Sequence, residues 1–214
     1  MLGYLRQSLG EYIKSNIVAY FFIILIFIVG IVVGALAVKT LPDEQKSELI
    51  SYLRILFNGL TSHADGGVNP SNLLGPVMIN NLKTIALMWI LGFTVVGIPF
   101  VLFMVFTRGF IIGFTVGFLV NEYVMKGLVF ALASVLPHNF LAIPAILITG
   151  VSSTTFSLRL LRRKSQVRTN LFYEALSYTG ICIVMLLLIL LGAIIEVYVS
   201  PVFMKLVAGF LVKE

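Results

Sequence analysis

Residues 17–38 read IVAYFFIILIFIVGIVVGALAV, an unbroken apolar run without one charged side chain. At about 1.5 Å of rise per residue, roughly 20 such residues in a helix cross the ~30 Å hydrocarbon layer of a bilayer. A cleavable secretory signal has a shorter apolar stretch, roughly 7 to 15 residues, followed by a small-residue cleavage site. The run is therefore read as a retained spanning helix. It also sets the class. With 59% apolar and 11% charged residues over 214 positions, and a mean hydropathy of +1.07, little chain is left for a large soluble domain. The predicted fold is an all-α polytopic membrane bundle of about five transmembrane helices, with one proline-broken segment and amphipathic interfacial helices.

Before the run, residues 1–15 place Leu5, Leu9, Tyr12 and Ile13 on one helical face, as in an interfacial cytoplasmic helix. Beyond it, residues 39–81 form a long extracytoplasmic loop. A second span is read from the uncharged stretch Thr84 to Thr107, with a kink at Pro99. A third starts at Gly109 and has to continue through Met125 to be long enough. Gly127 to Leu158 is uncharged but too long for one upright helix, and Pro137 and Pro144 interrupt it, so an unwound, protein-buried segment is expected there. The last span runs from Glu174 to Val199. Residues 200–214, with Phe203, Leu206, Val207 and Phe210 at helical spacing, read as an outer interfacial helix.

The formal net charge of +6 maps to one side of this layout. Arg6, Lys14, Arg108 and the basic loop at residues 159–171, with Arg159, Arg162, Arg163, Lys164 and Arg168, face only Glu11 and Glu174, whereas the charges on the other side balance. Excess Lys and Arg mark the cytoplasmic side, which puts the N-terminus in the cytoplasm and the C-terminus outside, in a multi-pass protein of the cell membrane. A four-span alternative arises at the weak third span. The basic loop suits an orientation signal with affinity for anionic lipid heads, or a docked cytoplasmic ATPase, and calls for no nucleic acid.

Three features carry functional expectations. In the outer loop, Pro42-Asp43-Glu44 resembles a helix start, and Leu49, Ile50, Leu53, Leu56, Phe57 and Leu60 follow as an apolar stripe. Such a helix lies on lipid, caps its own bundle, or docks a partner. In the membrane, Gly109, Gly113 and Gly117 repeat every fourth residue, and Gly30 and Gly34 do so more briefly. Rows of this kind let helix backbones approach closely, within one chain or in a homodimer, and a homodimer is expected. In the broken segment, His138 and Asn139 either satisfy carbonyls freed by the prolines or form a proton or ligand site.

Hydrolase and phosphate-loop signatures are absent from the sequence. Cys182 is the single cysteine, and His63 and Asp65 are too few for a metal site. The expectation is a protein that is not an enzyme and takes no cofactor or metal.

The order of an N-terminal span, a long outer loop, Arg108-Gly109 opening a glycine-rich helix, Leu136-Pro137-His138-Asn139 and Ile143-Pro144-Ala145 resembles the stage II sporulation protein M family. Many members carry Pro-His-Gly and a glutamate before the second proline, where this chain has Asn139 and Ala142. That departure argues against a shared His/Glu catalytic or relay site. The resemblance implies a non-catalytic membrane scaffold of endospore formation. It would recruit two peptidoglycan hydrolases, the stage II sporulation proteins D and P, to the septal or engulfing membrane. The rival reading is a transporter or permease subunit with a cytoplasmic ATPase partner.

Overall fold

In a computed structural model, which describes residues 15–61, 70–162, 171–200 and 202, five α-helices follow one another. They are α1 (Ile17–Ala37), α2 (Asp43–Thr61), α3 (Pro70–Gly92), α4 (Gly97–Arg162) and α5 (Leu171–Tyr198), with a 3-10 turn at Val38–Thr40 after α1. The interfacial helix expected at residues 1–15 lies outside the described residues except for Ser15. Most of the outer segment expected at 200–214 and the basic-loop residues Arg163, Lys164 and Arg168 lie outside them too.

Four helices, all but α2, are long and apolar enough to cross a membrane. Of these, α4 is two crossings in one element. Its helical geometry fails only at Val124, at φ 49 and ψ −123. Left-handed φ is costly for a β-branched residue, and here it marks a reversal without a loop. The limbs on either side, 97–123 and 125–162, run back along each other. Leu119 packs on Phe130 and Ala131 beside the reversal, and far from it Val105 Cγ2 lies 3.2 Å from the position a Cβ on Gly150 would take.

One core joins all five crossings: Ile23 and Phe27 of α1, Ile85 and Met88 of α3, Val101 and Val105 of the first limb of α4, Ala145 and Ile146 of the second, and Ile189 of α5. The opposite faces are exposed and apolar, such as Phe21, Ile28 and Val32 on α1 and Ile183, Leu187 and Leu191 on α5. That is the pattern of helices solvated by lipid. An all-α membrane helical bundle follows from these facts together.

The span boundaries differ from the sequence reading. The stretch Thr84 to Thr107 is not one span but the end of α3, a turn, and the start of α4. Pro99 does not kink it, because it lies in the first turn of α4, where its missing N–H has no partner to lose. The first limb of α4 therefore begins at Gly97 rather than Gly109, which gives the short third span its full length.

The turn at residues 93–96 is apolar and uncharged, and its survival rests on carbonyl accounting. The last four carbonyls of a helix have no intrahelical donor, and in an apolar setting each must find another. Tyr178 Oη donates to Trp89 O at 2.9 Å, and the Phe93 and Thr94 amides donate to Ile90 O and Leu91 O at 3.1 and 3.0 Å. Ser157 Oγ donates to Gly92 O at 2.7 Å and reaches Thr94 O at 3.0 Å. Ser153 Oγ adds Met88 O at 3.0 Å. An aromatic cluster covers the turn, with Phe156 stacked on Tyr178 at 4.7 Å and Phe93 edge-on to both.

The expected unwound segment is also corrected. Helical geometry continues through Pro137 and Pro144. Asn139 Nδ2 donates to Val135 O at 2.8 Å, the carbonyl one turn back that its own amide faces in the helical ladder. Helix α5 packs along this limb, where a Cβ on Gly192 would lie 3.4 Å from His138 O and 3.5 Å from Leu141 Cβ.

A clamped amphipathic helix and a set of charges inside the bundle

Helix α2 starts where the sequence places it, with Asp43 and Glu44 in the first turn against the positive end of the helix dipole. Its stripe divides. Leu53 packs on Leu119, Phe130 and Ala131 at the reversal of α4, and Leu49 and Ile50 are half-buried. One turn before Ile50, Lys46 Nζ lies 2.8 Å from Glu122 Oε1, an oxygen that also accepts from Asn121 Nδ2 at 3.0 Å. The side chains of Leu56, Phe57 and Leu60 lie outside the described residues. On the other side of the helix, Tyr52 and Ile55 are 61% and 67% exposed. Leu53 thus contacts the chain's own bundle, one of the placements open to such a helix, and the exposed Tyr52 and Ile55 are two residues that the stripe did not include.

The two glycine rows face each other. A Cβ on Gly109 would overlap Phe27 O, and one on Gly113 would overlap Ile31 O. In return, Cβ atoms on Gly30 and Gly34 would overlap Phe106 O and Phe110 O, and Gly117 sits 3.0 Å from Ala35 Cα on the same measure. Contacts rise together in both numberings, so α1 and the first limb of α4 are parallel neighbours. Both rows are taken up by this pairing inside the chain.

Charges lie where the sequence reading placed only span ends. Arg108 falls inside the first limb of α4, and its Nη2 donates to Thr84 Oγ1 of α3 at 2.9 Å. A cleft of about 200 Å³ between these helices is lined by Thr84, Met88, Phe103, Met104, Thr107, Arg108, Ile111 and Ile146. Glu196 of α5 lies within electrostatic range of both Arg108 and His138, so three ionisable groups from three crossings share one field. His138 is half-buried, and its Nδ1 has no hydrogen-bond partner. Of the two residues expected to serve carbonyls freed by the prolines, neither bonds to one: Asn139 donates to Val135 O, which is not a carbonyl that Pro137 or Pro144 frees.

Lys83 is likewise inside a span. It occupies the midpoint of Leu74–Gly92, with nine residues on either side, and it is exposed. A lysine at the centre of a spanning helix costs about 2.5–3.5 kcal/mol on insertion scales.

At the far end of the bundle, Arg159 is exposed and shares a cleft with Glu174, Tyr173 and Ser177. The side chain of Arg162 is not among those described. Also among the described residues, no group of three or more His, Cys, Asp or Glu side chains is placed to hold a metal.

Sequence reasoning missed Lys83 as an intramembrane group, and missed the buried hydroxyls Ser153, Ser157 and Tyr178. The run Ser152-Ser153-Thr154-Thr155-Phe156-Ser157 inside an apolar stretch was the available signal, since hydroxyls buried in a membrane usually have carbonyls to satisfy. No curated protein and no solved structure gives a match to the chain. A family model, described as stage II sporulation protein M, matches residues 23–201, from the middle of α1 to just past the end of α5. Coverage of all five crossings and the clamped helix between the first two settles membership: the chain belongs to the stage II sporulation protein M family.

Proposed function

We propose that this sporulation-family membrane protein is a non-catalytic scaffold that recruits peptidoglycan hydrolases, the stage II sporulation proteins D and P, through the outward side of α2. The observation that carries the reading is the clamp. Lys46 and Leu53 fix one side of the helix to the bundle, which leaves Tyr52 and Ile55 presented on the other. An exposed aromatic beside an exposed aliphatic on a preorganised helix is suited to protein contact, because little ordering entropy is lost on binding. With the N-terminus of α1 in the cytoplasm, this side faces the cell wall, where hydrolases act.

The test replaces Tyr52 and Ile55 together by Tyr52→Lys and Ile55→Glu in the full chain, in sporulating cells. Expected is normal accumulation in the membrane with loss of co-purifying hydrolases. Hydrolase recovery equal to that of the unaltered chain overturns the reading. Substitution of Leu49 or Leu53 is a poorer test, since Leu53 is half-buried against the bundle.

A second reading, a transport subunit, draws on Arg108, His138 and Glu196 within the bundle. Recovery of a nucleotide-hydrolysing partner dependent on Arg159 and Arg162 would favour it.

A further inference from the structure

The outward arc of α3 carries a charge that no described residue answers. Lys83 is flanked on this arc by Ile79 and Leu87, 53% and 50% exposed, and by exposed Asn80 one turn earlier. Its position is nine residues from either end of the span Leu74–Gly92, about 13 Å of helix, farther than a four-carbon stem carries an ammonium towards water. Lipid tails cannot solvate it.

The described carboxylates are all engaged or distant. Glu122 is paired with Lys46, and Glu196, near the end of α5, lies within electrostatic range of Arg108 and His138. Glu174 lies in the cleft beside Arg159, and Asp43, Glu44 and Glu48 belong to α2, outside the crossings. No described acid stands at mid-depth on the outer surface of the bundle, so the described residues of a second copy do not offer the complement.

We propose that the outward face of α3, centred on Lys83 with Asn80 beside it, docks a spanning helix of another protein that carries an aspartate or glutamate near its own midpoint. The charge selects the partner: in a setting where apolar side chains prefer one another no more than they prefer lipid, a buried carboxylate opposite an ammonium is what distinguishes one helix from the rest. The neighbouring groove, where Arg108 and Thr84 meet, adds a second donor set next to the same face. The proposal rests on the scaffold reading and deepens it, by adding an intramembrane contact with a client's membrane anchor to the one made by α2.

The test uses the full chain in vesicles of phosphatidylethanolamine and phosphatidylglycerol. Dye-labelled leucine-based helices of about 21 residues are added, bearing a central aspartate, leucine or lysine, and association is read by energy transfer. The aspartate helix is expected to associate roughly tenfold more tightly than the leucine helix. The difference should vanish in Lys83→Leu, persist in Lys83→Arg, and turn in favour of the lysine helix in Lys83→Glu. Equal association of the aspartate and leucine helices, or a preference that survives Lys83→Leu, overturns the proposal. Hydrolase recruitment through α2 is scored separately. Recruitment without a peptide preference removes the α3 surface alone, and a peptide preference without recruitment removes the α2 reading alone.

Discussion

Lys46 Nζ and Glu122 Oε1 stand 2.8 Å apart, tying the amphipathic helix to the residue two positions before the reversal of α4. The side chains are 34% and 15% exposed, so the pair is partly screened, and a value of about 1 kcal/mol is appropriate. Lys46→Glu should loosen α2 and raise its rate of proteolytic cleavage roughly fivefold. The exchange Lys46→Glu with Glu122→Lys should restore most of the protection. Cleavage of the single variant at the original rate would show that the pair does not hold the helix.

Gly113 and Gly180 make an internal comparison on helix packing. A Cβ at Gly113 meets the carbonyl of Ile31, whereas one at Gly180 has nothing within 4 Å. Backbone cannot swing aside as a flexible side chain can, so Gly113→Leu should separate α1 from α4 and destabilise the fold by at least ~3 kcal/mol. Gly180→Ala should be neutral or stabilising by up to about 1 kcal/mol, from helix propensity. Unfolding in mixed micelles with increasing dodecyl sulfate orders the two variants, and equal midpoints would contradict the packing described.

Arg108, Thr84 and Glu196 predict a compensating pair. Removing the guanidinium in Arg108→Leu takes a cation out of the electrostatic range of Glu196 and leaves Thr84 Oγ1 without its donor. The loss should be about 2–3 kcal/mol. The double variant Arg108→Leu with Glu196→Gln should recover much of that, because the uncompensated charge is gone. A double variant less stable than either single one, by the same unfolding measurement, would show that the two residues act separately.

Sequence patterning made the class and the number of crossings legible, because α1 and α5 carry their hydrophobicity without interruption. The errors have one physical origin. Charges are the natural punctuation of a membrane chain, so Lys83 and Arg108 read as span ends, yet both lie inside helices. The true punctuation, residues 93–96, has no charge, because its carbonyls are served by Ser157 and Tyr178, side chains more than sixty positions later in the sequence. A turn satisfied from a distance leaves no local signature. The same holds for the prolines, whose sequence argues for a break while the limb stays helical with α5 packed along it. The clamp on α2 was legible as a stripe, but which side met the bundle depended on Glu122, which no periodicity within α2 reveals.

The parallel seating of α1 against the first limb of α4 has a consequence for how the molecule is made. Helix α1 finds this neighbour only after α2, α3 and the chain beyond Gly117 have been produced. Until then, the notches at Gly30 and Gly34 lie open in the bilayer. Biogenesis thus includes an interval in which an inserted but unpaired segment waits for its mate. Any factor that shields small-residue grooves during that interval would govern the yield of folded protein without touching the finished structure.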